Sequence, residues 1–181
     1  REKTMKEKVV GILVARQTSS RLPGKALVDV VGKPMIGHIL DRIEKASHID
    51  EVIVATSTNP EDNAIVEYAE SRGIRSYQGA TEDVLDRIYK AAKFANADVV
   101  VEVGGDVPFV TPDFFDYGIE QYYETKADFI SNTYFPPITY PVGYDFMLIT
   151  MKTLEKLYLE AVLDSERYLP FHYISRNPQL F

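Results

Sequence analysis

Short apolar runs alternate along the chain with amphipathic stretches, and this pattern predicts alternating strands and helices. Val9–Val14 and Asp98–Val103 are almost continuously apolar, which is typical of strands buried on both faces of a sheet. Similar, shorter runs are bounded by glycine, proline or polar clusters. The further extended segments predicted in this way are Ala26–Val31, Glu51–Ala55, Ile74–Tyr77, Asp128–Asn132 and Gly143–Thr150.

The stretches between these segments carry apolar residues three and four positions apart, which places them on one face of a helix. Residues that favour helix N-termini, such as asparagine or threonine followed by proline, precede several of them. Helices are predicted to begin at Pro34, Asn59, Thr81, Thr111, Met151 and Ser165, the second ending near Arg72 and the last running toward Arg176.

Strands and helices that alternate at this spacing form β–α–β units, so the predicted fold is α/β, a mainly parallel sheet with helices on both faces. A single domain is expected over residues 9–181, after a polar lead of residues 1–8 in which Met5 is a candidate natural start. Phe135–Pro141 contains three prolines and is predicted to be irregular, within an excursion around residues 133–146. A dimerisation arm is one use of such an excursion.

Composition narrows the possible functions. A net charge of −7 in 181 residues argues against a general nucleic-acid-binding protein, which would present a basic face. The absence of cysteine excludes disulfides, zinc–thiolate sites and thiol nucleophiles. No apolar run is long enough to cross a membrane and no signal peptide is visible, so a cytoplasmic protein without a membrane partner is expected.

The segment after the first strand runs against the acidic balance of the chain. Arg16, Arg21 and Lys25 fall within ten residues that contain no acid. Small and hydroxyl-bearing residues separate these cations, and backbone N–H groups and short hydroxyls can approach phosphate oxygens closely. The segment is therefore predicted to hold a polyphosphate, with an ordinary basic surface loop as the alternative.

Three loops that follow strands are predicted to meet at one edge of the sheet, where open α/β folds bind their ligands. They are Ala15–Lys25, Thr56–Asn59 and Gly104–Pro108. Asp106 lies in the last of them, and its carboxylate suits Mg²⁺, which takes one or two carboxylates together with phosphate oxygens. The alternative is an Asx turn in which Asp106 satisfies its own loop.

Several common catalytic motifs are excluded. A P-loop requires glycine and a hydroxyl residue at the positions that Ser19 and Ala26 occupy. The three spaced glycines of a dinucleotide-binding fingerprint and the G-x-S-x-G elbow of serine hydrolases are also absent. His38, His48 and His172 are scattered along the chain, which argues against a histidine metal cluster.

The segment TEDVLDR contains two neighbouring charged residues, and the second is a candidate for ligand contact. They are Asp86 and Arg87, at the start of the helix predicted after Gly79. Arg87 either faces a ligand or pairs with Asp83 one helical turn earlier. The i, i+4 spacing alone favours the surface pair.

The segments ARQTSSRLPGK, VGKPMIGHIL, VATSTNPED, TEDVLDR, GGDVPFV and DSER, in this order, resemble the cytidylyltransferases that make CMP-sugars. The resemblance covers roughly Val9 to Arg167 and is closest to the spore-coat-polysaccharide type, with the acylneuraminate and Kdo cytidylyltransferases more distant. It implies a Rossmann-like nucleotide-diphospho-sugar transferase fold and transfer of CMP from CTP to the hydroxyl of an acidic sugar, with release of pyrophosphate. It also implies Mg²⁺, a homodimer and a role in surface polysaccharide or glycan biosynthesis.

The resemblance assigns roles to individual residues. It implies that Lys25, Arg16 and Arg21 act on the triphosphate and that Asp106 binds the metal. The implied nucleotide-binding residues are Ala15, Arg16, Gln17, Ser20, Arg21, Lys25, Thr56, Gly105 and Asp106. The implied sugar-pocket candidates are Asp86, Arg87, Tyr144 and Asp145.

The chain departs from this family at its end. Relatives continue with a strand whose aspartate supplies a further metal ligand, whereas this sequence stops at Phe181. A natural short form and a truncated product both fit, and two other functions stay open. One is a glycosyltransferase that uses a nucleotide-sugar donor, although its usual Asp-x-Asp motif is replaced here by Gly104-Gly105-Asp106. The other is a non-catalytic nucleotide-binding domain.

Overall fold

The computed structural model describes residues 7–18 and 22–181. The strands of this part of the chain are β1 (Val9–Val14), β2 (Asp29–Val30), β3 (Lys33–Pro34), β4 (Glu51–Ser57), β5 (Arg75–Gly79), β6 (Val99–Gly104), β7 (Phe129–Ser131) and β8 (Met147–Thr150). Six of them form one sheet in the order β5-β4-β1-β6-β8-β7, while β2 and β3 form a small antiparallel hairpin.

The sheet is built around β1. This strand pairs in parallel with β4 and β6, and β4 pairs in parallel with β5. The strand β8 is antiparallel to both β6 and β7, so it is the reversed strand of the sheet. The prediction of a mainly parallel sheet is confirmed.

Helices cover both faces of the sheet, as predicted. They are α1 (Met35–Ile43), α2 (Asn63–Ser71), α3 (Val84–Phe94), α4 (Pro112–Thr125), α5 (Met151–Glu160), α6 (Asp164–Tyr168) and α7 (Phe171–Arg176). Alternate residues of β1 point to opposite faces. Val9 and Leu13 pack in the core formed with α1, α2 and α4, whereas Val10 and Ile12 pack in the core formed with α3, α5 and α7.

The structure corrects several predicted element boundaries. Residues 26–31 are not one extended piece, because a 3₁₀ turn at Lys25–Leu27 precedes the β2–β3 hairpin. The last helix divides into α6 and α7, since Pro170 has no N–H to continue α6. Its cap position is Leu163, so Ser165 lies inside the first turn of α6.

The cap of α3 is also corrected. It is Asp83 and not Thr81, because the Asp83 carboxylate accepts a hydrogen bond from the backbone N–H of Asp86 at 2.8 Å. A cap bond of this kind satisfies one of the free donors of the first helical turn.

Between Ser131 and Met147 the chain forms neither a helix nor a strand. The Asn132 side chain organises the two ends of this segment: its amide N–H donates to the Tyr144 carbonyl at 2.7 Å, and its oxygen accepts from the Phe146 N–H at 2.8 Å. Residues 135–142 are exposed. The role of the segment as a dimerisation arm stays a prediction.

Candidate active site

A cleft of about 330 Å³ lies at the carboxyl ends of β1 and β6. Two of the three loops that were predicted to converge, those after β1 and after β6, line it. The start of α3 and the end of α6 complete its wall. The lining residues are Val14, Ala15, Arg16, Thr18, Lys25, Ala26, Val84, Arg87, Glu102, Gly104, Gly105, Asp106, Tyr168 and Leu169.

The loops after β1 and β6 touch at a predicted nucleotide-binding glycine. The N–H of Gly105 donates to the Val14 carbonyl at 2.9 Å. A Cβ atom at position 105 would lie 2.9 Å from the Ala15 Cβ, which is closer than real Cβ contacts permit. Gly105 therefore lets the two loops meet, and Ala15 is buried beside it.

The loop predicted at Thr56–Asn59 does not line the cleft, but the residues around it hold the cationic loop through hydrogen bonds. Thr56 is fully buried and is not among the cleft-lining residues. Asp62, also fully buried, accepts a hydrogen bond from the N–H of Gln17 at 2.6 Å and another from the Ser57 hydroxyl. Through Asp62 the segment after β4 holds the beginning of the cationic loop in place.

Two predicted phosphate-binding cations reach the cleft. The Lys25 ammonium forms an ion pair with Asp106 at 2.8 Å, and both side chains are partly exposed. The guanidinium of Arg16 donates to the Tyr168 hydroxyl at 2.7 Å and lies 3.6 Å from a carboxylate oxygen of Glu82. The other two predicted residues of this loop, Ser20 and Arg21, lie outside the described residues.

Arg87 faces the cleft, so the surface pair that helical spacing favoured is wrong. It is 2% exposed, and its guanidinium donates to the Ala80 and Thr81 carbonyls at 2.7 and 3.2 Å. Burial and the nearby charge of Arg16 lower the pKa of Arg87. The carboxylate expected to pair with it, Asp83, binds the guanidinium of Arg167 instead.

The other predicted sugar-pocket residues do not line the cleft. The Asp86 carboxylate binds the Lys90 ammonium at 2.9 Å and accepts from the Tyr158 hydroxyl at 3.1 Å, so it faces α5. Tyr144 and Asp145 lie in the segment before β8, and neither is a cleft-lining residue. Burial and the negative charge of Asp106 raise the pKa of Asp145, so these two carboxylates are close enough to interact.

Glu102 is a cleft residue that sequence reasoning missed. It lies in β6 and is 8% exposed. Burial, with the charges of Asp106 and Asp145, raises the pKa of Glu102 to about 8, although Arg87 acts in the opposite direction. The signal was a single charged residue in the apolar strand VVVEV.

A second missed element is the end of α6. Tyr168 and Leu169 line the cleft, and Arg167 ties α6 to the start of α3 through a 2.6 Å bond from its Nε to the Asp83 carboxylate. The DSER motif gave no indication of this placement, because the contact spans 84 residues of sequence.

The donor set at Asp106 fits a hard cation such as Mg²⁺. Its side chain is about half exposed at the mouth of the cleft, and its partner is a displaceable lysine. Within the described residues no three carboxylate or histidine side chains form a ready metal cage. Mg²⁺ commonly binds through one or two carboxylates, water and substrate phosphates, so Asp106 alone could supply the protein's part of such a site.

The fold and the site together define a class. A mainly parallel sheet carries a cationic loop after β1 and a carboxylate after β6, an arrangement that suits a nucleotide phosphate chain. Residues 10–166 match the family model described as cytidylyltransferase. The chain belongs to the cytidylyltransferase family, which confirms the predicted family, its Rossmann-like fold and its class as a CTP-dependent nucleotidyltransferase.

Three curated relatives illustrate the range of this family. The chain is 34% identical to the uncharacterized protein MJ1063 of Methanocaldococcus jannaschii over 96% of this chain and 70% of the relative. It is 26% identical to the spore coat polysaccharide biosynthesis protein SpsF of Bacillus subtilis, over 96% and 72%. A 3-deoxy-manno-octulosonate cytidylyltransferase of Geobacter metallireducens is 39% identical, and the match spans 62% of this chain and 43% of that enzyme.

A solved structure agrees with these relatives. A cytidylyltransferase from Leptospira borgpetersenii superimposes with a TM-score of 0.90 at 28% identity, over 97% of this chain and 74% of that one. None of the helices in the described residues has the length and apolar character needed to span a membrane.

Proposed function

We propose that this protein transfers CMP from CTP to a hydroxyl group of a sugar and releases pyrophosphate. The observation that carries the proposal is the Lys25–Asp106 pair at the mouth of the cleft, between the cationic loop and the end of β6. A cation and a carboxylate in this position suit a triphosphate and its metal ion. An exposed pair of this kind contributes little to stability, so both groups are available to a ligand.

The residues of the cleft have separable tasks in this reaction. Lys25 and Arg16 balance the negative charge of the triphosphate, and the contact between Gly105 and Val14 shapes the backbone beneath it. Asp106 would hold Mg²⁺, which neutralises charge on the phosphate oxygens when bound. Transfers of this kind depend mainly on positioning and on charge balance, both of which these residues provide.

The acceptor and the pathway are proposed from the relatives. Two of them are named for a spore coat polysaccharide and for 3-deoxy-manno-octulosonate, an acidic sugar. Acidic sugars of surface polysaccharides are therefore the first acceptors to test. A homodimer and a cytoplasmic location stay predictions, the first measurable by light scattering on the purified protein.

The decisive experiment measures pyrophosphate release with CTP, Mg²⁺ and a panel of acidic sugars. We expect Lys25→Ala to reduce the rate by about 10²- to 10³-fold, as the loss of one well-placed donor typically does. Lys33→Ala is the matched control, because Lys33 pairs with Asp41 outside the cleft. An active wild type with equally active Lys25→Ala would refute the role of Lys25, and a nucleoside diphosphate product would indicate a glycosyltransferase instead. CTP binding without turnover across the panel would favour a non-catalytic domain.

A further inference from the structure

Two ionisable side chains line the cleft and leave part of their hydrogen-bonding capacity unused. Among the described residues, the Glu102 Oε2 and the Arg87 Nε are both buried without a hydrogen-bond partner. Both side chains line the cleft. Glu102 is 92% buried and Arg87 is 98% buried, from exposures of 8% and 2%. Buried polar groups in native proteins nearly always have a partner, so two unpaired ones at the same cleft indicate a ligand.

The backbone of β6 leaves the way to Glu102 open. Gly104 is the next residue on the same face of the strand, because side chains alternate along β6. It contributes no side chain between Glu102 and the mouth of the cleft. A Cβ atom at position 104 would lie 3.0 Å from the Asp106 carboxylate, so this glycine also keeps the end of β6 uncrowded.

The electrostatic surroundings select the chemistry of the ligand. Asp106 and Asp145 act on Glu102 with negative charge, while Arg87 acts on it with positive charge. A carboxylate on the ligand would add to the negative charge that Asp106 and Asp145 already place around this position. A neutral group that donates to an oxygen and accepts from an N–H meets both needs, and a hydroxyl group does both at once.

We propose that Glu102 and Arg87 form a subsite for a sugar hydroxyl, which donates to the Glu102 carboxyl group and accepts from the Arg87 Nε–H. This inference rests on the proposed function and adds a specificity-determining pair to it. Two sugars meet in the proposed reaction, the ribose of the nucleotide and the acceptor. Their hydroxyl groups share this chemistry, and the experiment separates them.

The test compares wild type with Glu102→Leu, which removes the acceptor oxygen, and Glu102→Gln, which keeps an acceptor oxygen but cannot ionise. In the first arm, calorimetry measures binding of CTP and of 2′,3′-dideoxy-CTP. If the ribose occupies the subsite, loss of its hydroxyls weakens binding to wild type by about tenfold or more and has little effect on Glu102→Leu.

In the second arm, pyrophosphate release is measured against acceptor concentration. If the acceptor occupies the subsite, CTP affinity stays constant while KM for the acceptor rises about tenfold in Glu102→Leu and less in Glu102→Gln.

Gly104→Val provides a second variant, which blocks the way to Glu102 but also brings a Cβ atom to 3.0 Å from the Asp106 carboxylate. Only a loss confined to one of the two arms therefore supports the subsite. We expect Gly104→Val to show the same loss in the same arm. Glu160→Gln is the control, since the Glu160 Oε2 is likewise buried without a partner among the described residues but lies outside the cleft. Wild-type constants in both arms for Glu102→Leu and for Gly104→Val would overturn the subsite. A wild type that fails to bind CTP would instead refute the proposed function.

Discussion

Replacing Glu102 with glutamine should make this protein more stable at alkaline pH than the wild type. The substitution keeps the size and shape of the side chain but removes its ability to ionise. In the folded chain Glu102 is 8% exposed, and burial, assisted by Asp106 and Asp145, raises the pKa of its carboxyl group from the ordinary value of 4.5 to about 8. Folding therefore opposes ionisation of Glu102, and glutamine avoids that cost.

The direction and size of the effect follow from the two pKa values. Below pH 4.5 Glu102 is protonated in both the folded and the unfolded chain, so wild type and variant differ little. As the pH rises from 4.5 to about 8, the unfolded chain releases this proton while the folded chain keeps it, and the free energy of unfolding falls. Above about pH 8 the difference is constant. The rise from 4.5 to about 8 corresponds to at most about 5 kcal/mol, at about 1.4 kcal/mol for each pH unit.

Urea unfolding followed by circular dichroism near pH 5, 7 and 9 measures this difference, because urea does not screen charge as guanidinium does. We expect nearly equal free energies of unfolding at the lowest pH and an advantage of several kcal/mol for Glu102→Gln at the highest. Glu160→Gln, which removes a carboxylate outside the cleft, reports the general effect of losing one negative charge. If the gap between Glu102→Gln and wild type has the same size at all three pH values, the argument from burial is wrong.

Three further substitutions test a contact between the cleft loops, a contact in the core and the link between α6 and α3. Gly105→Ala brings a methyl group to 2.9 Å from the Ala15 Cβ, so the two loops must shift apart. We expect CTP to raise the melting temperature of this variant less than that of the wild type. An equal rise would contradict the close approach of the loops. Gly118→Ala would gain about 1 kcal/mol of helix propensity, but the new methyl group overlaps Phe146, and overpacking costs about 1–3 kcal/mol. Urea unfolding should therefore show no gain in the free energy of unfolding. A clear gain would contradict the overlap. Arg167→Ala removes the hydrogen bond between α6 and the Asp83 cap of α3. Limited proteolysis should therefore cleave residues 162–170 faster than in the wild type. An unchanged cleavage rate would show that other contacts hold this segment.

The fold could be predicted from the sequence because its strands and helices differ clearly in period. A continuous apolar run such as Val9–Val14 must be buried on both faces, and this requires helices on both sides of the sheet. The structure shows that arrangement in its two cores. The predicted cap of α3 was wrong because two neighbouring residues could fill that position. Thr81 and Asp83 both suit a helix cap, and the structure uses Asp83.

The candidate site could be predicted in part. Convergence of the loops that hold Lys25 and Asp106 follows from parallel strands, whose carboxyl ends meet at one edge. The partner of Arg87 could not be predicted in the same way. Helical spacing offered Asp83, but that carboxylate binds Arg167, which is 84 residues away in sequence. The i, i+4 spacing within one helix cannot show that Arg167, from a distant segment, binds the Asp83 carboxylate instead of Arg87.

The buried Glu102 affects both the stability of the fold and the proposed function of the cleft. An ionisable side chain in a buried strand conflicts with the apolar pattern that specifies the sheet, and it lowers the free energy of unfolding above pH 4.5. Departures from local consistency of this kind are expected at functional positions. Here the departure coincides with a cleft, with an arginine nitrogen that has no partner in the described part of the chain, and with a glycine beside Glu102 that adds no side chain. The cost in stability and the proposed sugar subsite are therefore two consequences of the same buried carboxyl group, and Glu102→Gln should change both.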